Sequence, residues 1–89
     1  MKFKVYADPG HAWCAVKRSF LRQLGLLGKV SSFSYQKGNT VYLEEDCDLS
    51  LLVNELKIRE ISFEFIEKHT NRQSPVRSYD RFYLTSGYG

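Results

Sequence analysis

Cysteine and proline are scarce in this sequence, two of each in 89 residues. Cys14 and Cys47 stand far apart and form no CxxC pair. That argues against a disulfide framework and for a reducing, cytoplasmic setting. No apolar run approaches the ~20 residues that a membrane helix needs, so no membrane partner is expected. The opening MKFKVYADPG carries charge where a signal peptide carries an apolar stretch, and does not read as one. Catalytic signatures are missing too. GLLGKV has neither the length nor the following Ser or Thr of a phosphate-binding loop, and there is no nucleophile elbow or glycine-rich oxyanion loop.

Apolar residues are not lacking. They make up 43% of the chain, and aromatics alone 15%. That suffices for one core without staples, and the length leaves no room for a second. Net charge is +3, but unevenly spread. Residues 1–43 hold seven basic side chains and one acidic, residues 44–67 two basic and eight acidic, and residues 68–89 four basic and one acidic. A uniform nucleic-acid coat would not be segregated in this way; a basic face set against an acidic one would.

Hydrophobic periodicity gives the architecture. Residues 2–7 alternate, with Phe3 and Val5 opposite Lys2, Lys4 and Tyr6, the pattern of a half-buried strand. Asp8-Pro9-Gly10 is a turn, and His11 to Val16 is a second extended run. Val16, Phe20 and Leu24, with Leu21 beside them, predict a short helix over about 17–24, closed by Gly25 in a left-handed conformation. Residues 30–35 and 40–43 read as a hairpin around QKGN. Leu49, Leu52, Val53 and Leu56 form the clearest helical stripe, with Asp46 or Asp48 as its cap. Ile61, Phe63 and Phe65 alternate with Ser62 and Glu64 and read as the most regular strand. The expected fold is a small single α+β domain: an antiparallel or mixed sheet of about five strands, in the order strand-strand-helix-strand-strand-helix-strand, with two helices on one face. Residues 1–67 make this core. Residues 68–89 are a basic-aromatic segment, extended or helical, packed on the core or extending it.

That segment carries the functional expectation. If RSYDRFY is extended, Arg77, Tyr79, Arg81 and Tyr83 share one face, flanked by Val76 and Leu84. Guanidinium groups hold phosphates in bidentate fashion, and tyrosine rings stack on bases. His69, Asn71, Arg72 and Ser74 just upstream add phosphate donors, and the DPGH turn adds His11, near Lys17. If the segment is helical instead, Tyr79, Phe82 and Tyr83 dock on the core and the arginines are merely solvated.

Other clusters have plainer readings. The acidic run Glu44, Glu45, Asp46 and Asp48 lacks the spacing of a calcium loop and suits a helix start. His11, Cys14, Cys47 and His69 lack the paired spacing of structural zinc. Cys14 with His11 or His69 as base has no supporting local motif. No metal, cofactor or catalytic residue is therefore expected.

Three stretches resemble a family of small proteins encoded by bacteriophages and prophages: DPGHAW at 8–13, SSFSYQKGNTVYLEEDCDLSLLVN at 31–54 and KHTNRQSPVRSYDRF at 68–82. The family carries no assigned activity, so the resemblance transfers no catalytic residue. It implies an accessory protein working in the cytoplasm of a bacterial host, of the sort that counters host defence by inhibiting a protein or sequestering a nucleotide signal. The leading expectation is thus a non-enzymatic binder of a phosphate-bearing partner, nucleic acid or a linear or cyclic nucleotide. One rival is an inhibitor that presents the acidic 44–67 region to a host defence enzyme. Another is a small nuclease or phosphoesterase using His11 and His69. Homo-oligomers are compatible with all three.

Overall fold

The computed structural model describes residues 1–83. The alternating 2–7 segment forms β1 (Lys2–Ala7), with Phe3 and Val5 buried and Lys2 and Lys4 exposed. The Asp8-Pro9-Gly10 turn returns the chain as β2 (Ala12–Lys17), antiparallel to β1 with Ala7 opposite Ala12. α1 (Arg18–Gln23) follows directly and buries Leu21. After a 3-10 turn at Leu27–Lys29 come β3 (Tyr35–Lys37) and β4 (Thr40–Glu44), then α2 (Leu49–Ile58), β5 (Glu64–His69), a 3-10 turn at Pro75–Ser78 and β6 (Asp80–Arg81).

The sheet order is β5-β1-β2-β4-β3-β6. Among the described residues only the β1–β5 pair is parallel. β4 runs in the direction of β1, so β4-α2-β5 is a crossover unit that carries the chain over the sheet to its far edge. Phe3, Val5, Cys14, Val16, Val41 and Leu43 point to one face and meet Leu21 and Leu24 of the α1 end and Leu52 and Leu56 of α2 in one buried cluster. The expected α+β class with both helices on one face holds. The molecule measures 34 × 31 × 19 Å, and the short dimension has room for only one helix layer on the sheet.

Among the described residues there are six strands, not five, because β6 comes from the C-terminal segment. The predicted boundary at 67/68 falls inside β5. The hairpin is also tighter than predicted: Gly38-Asn39 alone connects β3 to β4, with Gly38 at φ +58°. Residues 30–34 are not strand; they form turns in which Asp48 accepts hydrogen bonds from Ser31 N–H and from the Ser31 and Ser34 hydroxyls. Asp48 therefore stands at the N-cap position of α2 with its side chain turned away from the helix. β5 starts at Glu64 rather than Ile61 and lies exposed at the sheet edge, and Phe63 is only partly buried.

Both helices end alike. After α1, Gly25 (φ +74°) donates to Arg22 O, and Leu26 donates back to Leu21 O. After α2, Glu60 (φ +58°) donates to Lys57 O, and Ile61 to Leu56 O. The motif places one residue in the left-handed region, where a Cβ is strained and glycine is not. Glu60→Gly is accordingly expected to raise stability by about 0.5–1 kcal/mol, read as a higher urea midpoint at unchanged slope.

Candidate functional site

The face expected along RSYDRFY does not form. Ser74 caps a 3-10 turn over Pro75–Ser78, its hydroxyl accepting from Val76 N–H at 3.2 Å, and the alternation is broken before it starts. Arg77 is turned inward. Its Nε and Nη2 donate to Asp8 Oδ2 and Oδ1 at 2.7 and 3.0 Å, and its guanidinium lies 5.2 Å from the centre of the Trp13 ring. Ser74 is buried and gives its N–H to the same carboxylate at 2.9 Å. Arg77 and Ser74 are thus parts of the scaffold, not free ligand donors.

The remaining predicted residues are dispersed. Tyr79 is half-buried against Tyr42, ring centres 5.0 Å apart. Arg81 stays exposed, 4.7 Å over the Tyr35 ring, and donates to Ser32 O. Tyr83 is 58% exposed. His69 ends β5, registered beside Ala7, and Asn71 and Arg72 follow in an exposed loop. Leu84 lies outside the described residues.

His11, Arg77 and Arg81 do meet, in a cavity of about 350 Å³ shared with Trp13, Tyr35, Glu44, Asp46 and Cys47. His69 is not among its lining residues. Glu44 is buried there. Its Oε2 accepts the N–H groups of Asp46 and Cys47, and its Oε1 stands 3.3 Å from His11 Nδ1. Ligating atoms of His11, Glu44 and Asp46 lie within 4.8 Å of one another, so these three are the side chains that could hold a metal among the described residues. Neither cysteine is set up as a nucleophile. Cys14 is wholly buried, which pushes its thiol up to about 12, and Cys47 is raised by desolvation and by the Glu44, Asp48 and Asp46 carboxylates.

The cation-aromatic mixture that the tail promised is assembled instead across strands. The sheet face opposite the helices carries Lys2, Lys4 and Tyr6 of β1, Trp13, Ala15 and Lys17 of β2, Thr40 and Tyr42 of β4, and Tyr35 and Lys37 of β3, as register dictates. The C-terminal turn covers one end of it, where Val76 and Tyr79 pack on Trp13, Tyr35, Tyr6 and Tyr42. Desolvation, with Tyr79 and Tyr6 close by, raises the Tyr42 hydroxyl above its ordinary pKa. The other end stays open as a groove of about 540 Å³ lined by Lys2, Lys4, Lys17, Tyr6, Thr40 and Tyr42 and by no acidic residue. Lys17 and Ser19 are shared with a second groove that adds Arg18, Arg22 and Asn39. Arg18 and Asn39 lead into a third, with Lys37, Tyr83 and the one acid, Asp80. Lys17 and Tyr83 are thus the predicted residues that fall here. Lys2, Lys4, Tyr6 and Tyr42 were missed as a site, although the excess of positive charge in residues 1–43 was its signal.

The acidic stretch is put to internal use in part. Glu44 and Asp48 are buried, and Glu55 pairs with Arg59 at 2.8 Å. No helix among the described residues is long and apolar enough to cross a membrane. Comparisons of the chain with protein-family models, with curated proteins and with solved structures find no match.

Proposed function

We propose that this protein is a non-enzymatic binding module, of bacteriophage accessory type, for a phosphate-bearing ligand that carries bases: nucleic acid or a nucleotide signal. Its site is the open end of the sheet. One observation carries the reading. Lys2, Lys4, Lys17, Arg18, Arg22 and Lys37 line three contiguous grooves in which Asp80 is the sole acid. Gathered along adjoining grooves, these charges attract phosphates, Lys2 while also standing 3.4 Å from Glu64. Tyr6 and Tyr42, 6.1 Å apart on the same face, offer ring surface to bases. An open sheet with aromatic residues between flanking cations suits an unpaired strand better than a duplex, because unstacked bases can lie on it.

The test is fluorescence anisotropy with labelled single-stranded oligonucleotides, alongside calorimetry with linear and cyclic nucleotides. Lys4→Glu combined with Lys17→Glu is expected to weaken binding by on the order of a hundredfold while circular dichroism stays unchanged, because both side chains are exposed. For an oligonucleotide, log affinity should fall with log salt at a slope of about −2 to −3, the release expected for three or four phosphates. If the parent protein binds none of these ligands at low salt, the reading fails.

A further inference from the structure

The two edges of the sheet differ. β6 is two residues long, a blunt edge that offers no ladder to another chain. β5 is six residues long, exposed at every position, and has neither proline nor glycine. It leaves Phe65 and Ile66 40% and 37% exposed. Its outer side faces no other strand among the described residues.

We propose that β5 is a dimerisation edge that pairs antiparallel with β5 of a second copy, centred on Ile66. The backbone selects the permitted registers. Glu64 N–H bonds to Met1 O and Thr70 N–H to Ala7 O, so even-numbered residues direct their polar groups toward β1. In a parallel ladder the groups alternate, so Phe65, Glu67 and His69 point theirs outward. An antiparallel partner must place odd residues opposite odd ones, which leaves registers centred on residues 65, 66 or 67. Centring on Glu67 opposes two glutamates. Centring on Phe65 leaves Glu64 opposite Ile66 and Lys68 opposite Ser62. Centring on Ile66 sets Glu64 opposite Lys68 of the second copy, Ile66 against Ile66, and Lys68 opposite Glu64. These are the closely spaced non-hydrogen-bonded positions, while Phe65 and Glu67 exchange backbone hydrogen bonds. The segment EFIEKH is therefore self-complementary in charge as well as backbone. Among the described residues Glu64 pairs with Lys2 alone, across an exposed 3.4 Å contact with both side chains more than half exposed, which leaves room for a second cation.

Directly opposed residues of an antiparallel pair point to the same side, so the two-fold axis stands perpendicular to the sheet. The helix layers then lie side by side, and so do the two open faces.

Sedimentation equilibrium from micromolar to near-millimolar protein tests this, with each variant checked by circular dichroism. The parent protein should dimerise. Glu64→Lys sets lysine against lysine at both symmetric positions and should raise the dissociation constant about tenfold or more. Combining Glu64→Lys with Lys68→Glu restores opposite charges and should recover most of that loss. Glu67→Pro removes an outward N–H without touching the β1 ladder and should leave a folded monomer. A parent protein that stays monomeric throughout overturns the proposal. So does a dimer that tolerates Glu67→Pro, or one lost in Glu64→Lys and not regained in the double exchange.

Discussion

Asp8→Ala is expected to lower the thermal midpoint by on the order of 10 °C, more than any other polar substitution in this domain. Its carboxylate is 1% exposed and accepts five hydrogen bonds. Two come from the N–H groups of Gly10 and His11 within its own turn, one from Ser74 N–H and two from Arg77. The residue thus closes the β1–β2 hairpin and fastens the C-terminal segment to it across more than sixty positions of sequence. Alanine removes every acceptor and leaves Arg77 charged and half-buried with no anion, the costly half of a broken pair. Arg77→Lys, with Asp8 in place, should also destabilise, because one ammonium cannot replace a two-pronged contact. Packing around the pair is tight: a Cβ added at Gly10 would come 2.9 Å from Arg77 Nη2.

The same carboxylate sets the acid limb of stability. The Arg77 guanidinium, first among its causes, and the surrounding N–H groups hold Asp8 far below its ordinary 3.8. A group depressed on folding contributes fully above its unfolded value and loses that contribution as pH falls below it. Stability should therefore be level above about pH 5 and decline through the acid range without levelling. Asp8→Asn, which cannot titrate, should be less stable at neutral pH and show a flatter acid limb. An unchanged limb would remove Asp8 as its source.

The elements readable from sequence are those whose signals are local. β1 needs only its alternation, α2 only its leucine stripe, and the α1 terminus and the β-hairpin only Gly25 and Gly38. What escaped depends on distant partners. Nothing near Arg77 announces Asp8, and the arginine-tyrosine chemistry that suits phosphates and bases serves equally well inside a fold. Arg77 lies over Trp13, Lys37 over Tyr79 and Arg81 over Tyr35. Asp48 read as a helix cap because the serines it holds, Ser31 and Ser34, looked like strand. The charge bias of residues 1–43 was legible as a total. Its gathering into three adjoining grooves required the strand order, since Lys4 and Lys17 come to line the same groove only when β1 and β2 pair.

Phe82→Ala is expected to cost about 3–5 kcal/mol, and more than Phe63→Ala, although Phe63 lies in the stretch that alternates most regularly. Phe82 is 3% exposed and belongs to the main buried cluster beneath the sheet. Its N–H donates to Ser34 O at 2.8 Å, beside the β3–β6 pairing, and the Arg18 guanidinium lies 5.4 Å from its ring centre. Truncation leaves a ring-sized void, removes the aromatic surface under Arg18 and loosens β6, which has only two residues with which to hold the edge. Phe63 precedes β5, is only partly buried, and its nearest ring, Phe65 at 5.6 Å, is itself 40% exposed. Water can enter where that ring stood, so the cavity term is small and the loss should stay below about 2 kcal/mol. Urea denaturation of both variants at equal slope decides the matter. If Phe63→Ala shows the larger fall in midpoint, the C-terminal segment is a cover over the core rather than part of it.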